Sequence, residues 1–169
     1  MVMPFLSDIA RRKKIEYFLN PIPKSARILE IGCGSGWVGE YLKSHGWENY
    51  TGLDIVPPAD LVGDITCYQE IGLSPGSFDV IIAFEVVEHV DCFFECHELL
   101  SPGGRLLLTS PVPRMDWFLK ILEATGLNQK RTSPHDHLID FSKVEIFPKK
   151  EIKVVAGLSQ WGIFYREGR

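Results

Sequence analysis

Residues 28–36, Ile-Leu-Glu-Ile-Gly-Cys-Gly-Ser-Gly, form an apolar stretch that runs directly into three glycines within five residues. The next residues, 37–43, have the pattern of a helix. Because glycine has no Cβ atom, this stretch can turn sharply and let a ligand approach the main chain closely. The first turn of the helix then offers unpaired N–H groups to a polar or anionic ligand. A strand, a glycine turn and a helix in this order predict a nucleoside-cofactor site.

Apolar runs alternate with helical patterns along the rest of the chain. Residues 78–84 are almost continuously apolar, as expected for a strand buried on both faces of a parallel sheet. Strands are predicted at 26–31, at 50–53, within 60–65, at 78–84 and at 105–109, with a final strand pair at 151–156 and 161–166; helices are predicted at 7–20, 36–45, 90–100 and 115–125. The pattern predicts an α/β fold with a doubly wound, mostly parallel seven-stranded sheet and a C-terminal antiparallel strand pair.

Length, charge and cysteine content make several classes of protein less consistent with this sequence. A chain of 169 residues is expected to form a single domain. The net charge of −4 disfavours a nucleic-acid partner, and no apolar run is long enough to cross a membrane. Four scattered cysteines without metal-type or disulfide-type spacing indicate a reducing compartment, the cytoplasm, and no metal site. The sequence does not indicate an oligomeric state.

Taken alone, the glycine turn fits two cofactors. Gly34 and the residues after it satisfy the dinucleotide pattern G-x-G-x-x-G, and Asp54 lies twenty residues further on, where it could hold a ribose. Three other features favour a different nucleoside. Glu30 is an acid inside the first strand, Asp64 is a second acid after the third strand, and residues 84–90 read Phe-Glu-Val-Val-Glu-His-Val after the fourth.

These segments together resemble the class I S-adenosylmethionine-dependent methyltransferases, in their small-molecule, ubiquinone-biosynthesis-like branch. The matching segments come in the family order and are residues 29–36, 52–55, 63–65, 78–81, 85–90 and 100–106. The resemblance covers about residues 25–111. It implies a Rossmann-like methyltransferase fold, S-adenosylmethionine as the cofactor, and a division into an N-terminal lead-in (1–25), a cofactor-binding core (26–110), an acceptor region (111–150) and the terminal strand pair (151–169).

The resemblance also implies roles for individual residues. The turn would border the methionine and ribose part of the cofactor, Asp54 would hold the ribose hydroxyls, and Asp64 would accept from the adenine amino group. The full set of implied cofactor-binding residues is Glu30, Gly32, Cys33, Gly34, Ser35, Gly36, Asp54, Ile55, Asp64, Ile65, Phe84 and Glu85. Asp54 and Asp64 could alternatively be loop caps, and Cys33 could be only a small turn residue.

The connection between Asp54 and Asp64 departs from the family pattern. It holds nine residues, including Pro57 and Pro58, where the family usually has a helix. We therefore expect the adenine side of the pocket to be more open, or to be covered by another part of the molecule.

The acceptor is the least constrained part of the prediction. No Asn/Asp-Pro-Pro-Tyr/Phe segment follows the fourth strand, which disfavours amino acceptors on nucleobases or glutamine and favours an oxygen or carbon of a small molecule. Candidate general bases are His89, His135 and His137, with Glu88 as a helper of His89. His135 and His137 could equally belong to a surface loop. Two alternatives stay open: a cofactor-binding module without catalysis, and an NAD-dependent oxidoreductase.

Overall fold

The computed structural model describes residues 4–112 and 139–168. The predicted helix at 115–125 and the candidate bases His135 and His137 lie outside the described residues. The described part contains one seven-stranded sheet with the order β3-β2-β1-β4-β5-β7-β6. Its strands are β1 (Ile28–Ile31), β2 (Tyr50–Asp54), β3 (Leu61–Val62), β4 (Phe78–Phe84), β5 (Leu100–Pro111), β6 (Lys149–Val155) and β7 (Ser159–Tyr165).

Strand direction divides the sheet into two parts. Strands β1 to β5 are all parallel to one another, whereas β7 runs antiparallel to both β5 and β6. The predicted fold class, with its mostly parallel sheet and terminal antiparallel pair, is confirmed. Since β1, β2 and β4 are adjacent and parallel, their carboxyl ends meet at one edge of the sheet, where an α/β fold binds its ligands.

Helices pack on both faces of the sheet. They are α1 (Pro4–Lys14), which continues into a π-helical turn at Ile15–Leu19, α2 (Trp37–Ser44) and α3 (Phe93–Leu99). The first predicted helix therefore begins three residues earlier than position 7, and the third is shorter than 90–100. A proline is well tolerated in the first turn of a helix, which allows α1 to begin at Pro4.

Alternation along the strands assigns each side chain to one of two cores. In β4, Ile81 belongs to the core under α3, whereas Val80 and Ile82 belong to the core under α1 and α2. In β1, Leu29 and Ile31 face α3, and Ile28 faces α1 and α2. By the same two-residue period, Glu30 shares the face of Ile28.

The connection between β2 and β3 is short and contains no helix, as its length predicted. β3 pairs with β2 only at Leu61 and Val62. The Asp60 carboxylate accepts a hydrogen bond from the backbone N–H of Gly52 at 2.8 Å, and it also lies 3.6 Å from the ammonium of Lys43. A side chain thus pairs with part of β2 where β3 does not reach.

Across residues 4–112 and 139–168, none of the helices is both long enough and apolar enough to cross a membrane.

Candidate active site at the carboxyl edge of the sheet

The turn after β1 adopts the conformation that its glycines allow. Gly32, Gly34 and Gly36 have φ angles of 70°, 47° and 75°, in the left-handed region that other residues adopt only at a cost. Gly32 also has no room for a side chain, because a Cβ atom there would lie 2.6 Å from Cγ2 of Val86. The turn therefore packs directly against the segment that follows β4.

Asp54, the last residue of β2, holds this turn in place. Its Oδ2 atom accepts a hydrogen bond from the backbone N–H of Gly34 at 2.8 Å, and its Oδ1 atom accepts one from the N–H of Val56 at 3.2 Å. A carboxylate has about four lone-pair directions, so both oxygens can accept a further hydrogen bond from a ligand hydroxyl. The twenty-residue spacing thus becomes a direct contact between the carboxylate and the glycine turn.

A cavity of about 530 Å³ opens beside Asp54 at the carboxyl ends of β1, β2 and β4. Its volume is in the range of small-molecule and cofactor sites. Its polar side chains come from three separate segments of the chain and include three carboxylates. The lining residues are Ile31, Gly32, Leu53, Asp54, Ile55, Gly63, Asp64, Ile65, Glu85, Val86, His89 and Val90.

Asp64 and Ile65 stand where the chain leaves β3. The Oδ1 atom of Asp64 accepts hydrogen bonds from the backbone N–H and the hydroxyl of Thr66, at 2.9 and 2.8 Å. Asp64 is therefore the cap of the short 3₁₀ turn Ile65–Cys67, while it also lines the cavity. Ile65 is buried, whereas Ile55 on the opposite side of this end is 73% exposed. The residue that follows β2 thus leaves this end of the cavity open to solvent.

Glu85 follows β4 at the other end of the cavity and has a left-handed backbone, with φ of 58°. Its backbone N–H donates to the carbonyl oxygen of Thr109 at 2.8 Å, and its Oε1 atom accepts from the Thr109 hydroxyl at 2.7 Å. The ammonium of Lys14, the last residue of α1, lies 3.3 Å from the same Oε1 atom and 3.0 Å from Oγ1 of Thr109. The N-terminal helix thus contributes a charge to this side of the site.

Glu88 lies three residues further on and is almost completely buried. Within the described part of the chain, both of its carboxylate oxygens and the hydroxyl of Ser110 lack hydrogen-bond partners. Burial raises the pKa of Glu88 to about 7, and the negative charge of Glu85 raises it further; its own backbone, the nearby Ser110 hydroxyl and the positive charge of Lys14 lower it, in that order. The segment that follows Glu85 therefore contains a buried carboxyl group whose pKa lies near neutral pH.

Comparison with known proteins then identifies the family. A model of the methyltransferase domain matches residues 7–153, which is most of the chain. The chain belongs to the methyltransferase domain family. The resemblance that the sequence motifs indicate is confirmed.

Individual relatives agree with the family match. A ubiquinone biosynthesis O-methyltransferase of Pseudomonas aeruginosa is 31% identical, over 50% of this chain and 44% of that protein. The chain thus spans less than half the length of this curated relative. Two solved structures share the fold at 18% identity: a SAM-dependent methyltransferase from Archaeoglobus fulgidus (TM-score 0.63, 96% of this chain and 93% of that one) and the PH0226 protein from Pyrococcus horikoshii (TM-score 0.64, 95% and 91%).

The methyltransferase domain gathers half of the predicted cofactor-binding residues around one cavity. The residues that line it are Gly32, Asp54, Ile55, Asp64, Ile65 and Glu85, together with the candidate base His89. Gly34 contacts the cavity only through its hydrogen bond to Asp54. Ser35 is exposed at the top of the turn.

Glu30 lies on the opposite face of the sheet from this cavity. It is buried, and it accepts a short hydrogen bond from the hydroxyl of Tyr50, the first residue of β2. Burial raises the pKa of Glu30 to about 7, against the lowering effect of the Tyr50 hydrogen bond. Glu30 therefore does not line the cavity, and its role in cofactor binding stays a prediction.

Three further predicted residues also face α1 and α2. Cys33 and Gly36 line a separate cavity of about 320 Å³ beside Tyr50 and Asp60. Phe84 packs with its ring 5.2 Å from that of Phe18. The roles of these residues in cofactor binding remain predictions.

Sequence analysis missed three contributors to the site. Lys14 is one of them, and nothing local in the sequence distinguishes it from Lys13. Val86 and Val90 line the cavity as well. The spacing of Val86, two residues after β4, could have indicated that it packs against the glycine turn.

Proposed function

We propose that this methyltransferase domain binds S-adenosylmethionine in the cavity at the carboxyl edge of the sheet. The observation that carries the proposal is the meeting of the glycine turn, Asp54, Asp64 and Glu85 around one space of about 530 Å³. The positive φ angles of the turn and the anchored Asp54 carboxylate supply a close main-chain approach and a hydroxyl acceptor side by side.

The cofactor's parts distribute along this cavity according to their chemistry. Asp54 accepts from the ribose hydroxyls, and the apolar side chains of Ile55 and Ile65 lie on either side of the adenine ring. Asp64 accepts from the adenine amino group with the oxygen that Thr66 leaves unused. Glu85 and the turn at Gly32 then border the methionine part.

The reaction we propose is methyl transfer to an oxygen or carbon atom of a small molecule. A sulfonium methyl group is already electrophilic, so the protein has to align the acceptor with the methyl–sulfur bond and exclude water. A hydroxyl acceptor would in addition lose a proton, and His89 in the cavity wall is the candidate base. The domain division at 26–110 and 111–150, and a cytoplasmic location, remain parts of this proposal; the four cysteines are free thiols, which supports a reducing compartment.

A binding experiment tests the cofactor assignment. Calorimetry of the purified protein with S-adenosylhomocysteine should show saturable binding, and NAD should show none. Asp54→Ala should weaken the affinity by roughly 30-fold, since it removes charged acceptors of two hydroxyl hydrogen bonds. Asp8→Asn, at an exposed position on α1, is the matched control and should leave the affinity unchanged.

Three results would contradict the proposal or narrow it. A wild-type protein that binds NAD and not S-adenosylhomocysteine would make it an oxidoreductase. A wild type that binds neither would remove the cofactor assignment. Saturable binding without turnover across a panel of hydroxylated and carbon acceptors would leave a cofactor-binding module without catalysis.

A further inference from the structure

Lys14 differs from the other basic residues of the cluster at the end of α1. Its ammonium lies 3.3 Å from Oε1 of Glu85 and 3.0 Å from Oγ1 of Thr109, and its side chain is only 15% exposed. Within the described part of the chain, Arg11, Arg12 and Lys13 form no ion pair. Lys14 alone of these four basic residues thus contacts the carboxyl edge of the sheet. It pairs with Glu85, which lies 71 residues further along the chain.

The surroundings of Lys14 hold its ammonium at this position. The Nζ atom lies 4.9 Å from the centre of the Phe84 ring, which is a favourable position for a cation over an aromatic face. Thr109 is fully buried, and its hydroxyl both donates to Glu85 and accepts from Lys14. The Lys14 ammonium, the Thr109 hydroxyl and the Oε1 atom of Glu85 therefore form a closed triangle of polar contacts beside the Phe84 ring.

Glu85 is the member of this set that lines the cofactor cavity. Its φ of 58° is unusual for a residue with a Cβ atom, and such a backbone persists only where surrounding contacts hold it. Thr109 holds its main chain through the carbonyl oxygen and its side chain through the hydroxyl. Lys14 is the second group that holds the carboxylate.

Lys14 lies beside two acidic residues, Glu85 and Glu88, that affect each other electrostatically. The groups with titratable or charged side chains that act on Glu88 are Glu85 and Lys14, and Glu88 is buried without a hydrogen-bond partner among the described residues. The negative charge of Glu85 raises the pKa of Glu88, so the two carboxyl groups repel each other when both are ionised. The ammonium of Lys14 lies against the Glu85 carboxylate and opposes this repulsion.

We propose that Lys14 is a positioning residue of the active site, which holds the Glu85 carboxylate at the methionine end of the cofactor cavity. This inference rests on the proposed function, because the cavity must bind the cofactor for Glu85 to meet its methionine part. Lys14 acts through Glu85, and α1 becomes part of the cofactor site. Loss of Lys14 therefore weakens the binding of the methionine part and leaves that of the adenosine part unchanged.

Two ligands separate these parts in a binding experiment. S-adenosylhomocysteine carries the amino-acid portion, whereas 5′-methylthioadenosine has the same nucleoside without it. We expect Lys14→Met to lower the affinity for S-adenosylhomocysteine about tenfold, as for the loss of one charge-assisted contact. The affinity for 5′-methylthioadenosine should stay within about twofold of the wild-type value. Lys14→Arg should restore most of the affinity, and Lys13→Met is the matched control without effect.

A double-mutant cycle decides whether Lys14 works through Glu85. In a Glu85→Gln background, Lys14→Met should cause no further loss of S-adenosylhomocysteine binding. If the tenfold loss persists in that background, Lys14 contacts the ligand independently and the inference is wrong. Equal affinity of Lys14→Met and the wild type overturns it as well.

A second variant guards against misfolding of Lys14→Met, which thermal unfolding would reveal. Thr109→Val removes the hydroxyl between Lys14 and Glu85, conserves the shape of the side chain, and should show the same selective loss. A weakening of both ligands in Thr109→Val would overturn the selective role. A wild type that binds neither ligand would instead overturn the proposed function and, with it, the premise of this inference.

Discussion

The cofactor cavity has two halves that are built in different ways. The β2–β3 half, with Asp54, Ile55 and Asp64, is made by contacts between residues that are close in sequence or that belong to the first turn. The β4–β5 half, with Glu85, depends on Thr109 of β5 and Lys14 of α1, which lie 24 and 71 residues away in sequence. The rim of the first half includes the exposed, apolar Ile55, whereas the second half is charged and lies beside the buried Glu88 and Thr109. Short-range hydrogen bonds suffice to orient Asp54 and Asp64, whereas Glu85, with its left-handed backbone, is held by partners from distant elements.

The largest effect is expected where the two halves touch. Gly32→Ala would introduce a Cβ atom 2.6 Å from Val86 at a backbone φ of 70°. We expect a loss of about 3 kcal/mol in the free energy of unfolding, from overpacking and from the left-handed backbone together. Urea unfolding measures it.

Gly36→Ala is the matched control, since it shares the positive φ but has no atom within 4 Å of the new Cβ. Its expected loss is about 1 kcal/mol, the cost of the backbone alone. Equal losses in the two variants would show that the contact between the halves contributes nothing to stability.

Glu88→Gln tests the surroundings of the β4–β5 half through the pH dependence of the free energy of unfolding. A carboxyl whose pKa is about 7 in the folded protein and near 4.5 in the unfolded chain favours folding when protonated, so wild-type stability falls as pH rises between these values. The variant lacks this loss, and between about pH 4 and pH 8 its free energy of unfolding should gain about 3 kcal/mol relative to the wild type.

Chemical unfolding of both proteins across that pH range measures the difference. Glu30, whose pKa is also raised to about 7, contributes equally to both proteins and cancels. A difference that stays constant from pH 4 to pH 8 would contradict the burial of an unpartnered carboxyl at position 88.

Asp64→Ala tests a local contact of the open half. The substitution removes the cap of the 3₁₀ turn, which accepts two hydrogen bonds from Thr66. We expect a loss of about 1 kcal/mol of stability, typical for a capping side chain. Ser142 makes the same pair of contacts with Asp140 outside the cavity. Asp140→Ala is therefore a matched control, with a similar stability loss but no effect on S-adenosylhomocysteine affinity.

Ile55→Ser should have the smallest effect on the folded protein. Since the side chain is 73% exposed, the free energy of unfolding should change by less than about 0.5 kcal/mol. If adenine covers this side chain, S-adenosylhomocysteine should bind roughly fivefold more weakly by calorimetry. Unchanged affinity together with unchanged stability would place the adenine elsewhere in the cavity.

The same division explains what the sequence could predict. Strand, glycine turn and helix follow each other within sixteen residues, and Asp54 contacts the turn because parallel β1 and β2 are neighbours. These relations depend on short spacings and on a known order of strands. The missing helix between β2 and β3 was evident from the count of residues alone.

Other features depend on information that spacing does not contain. The two-residue period separates Glu30 from Leu29 and Ile31, but it does not say which face carries the cavity. Lys14 has the same local pattern as Lys13, and only the packing of α1 against β4 and β5 distinguishes them. The left-handed backbone of Glu85 is held by Thr109, which is 24 residues further along the chain.

The Asp60 carboxylate affects how readily another protein chain can add a strand to this edge of the sheet. An edge strand with unpaired N–H groups is a template for another chain, and a β3 of two residues leaves part of β2 uncovered. Asp60 occupies the N–H of Gly52 with a negative charge, so an incoming strand would have to displace an anion as well as find a partner for it. One acidic side chain thus disfavours the addition of another strand at this border of the sheet.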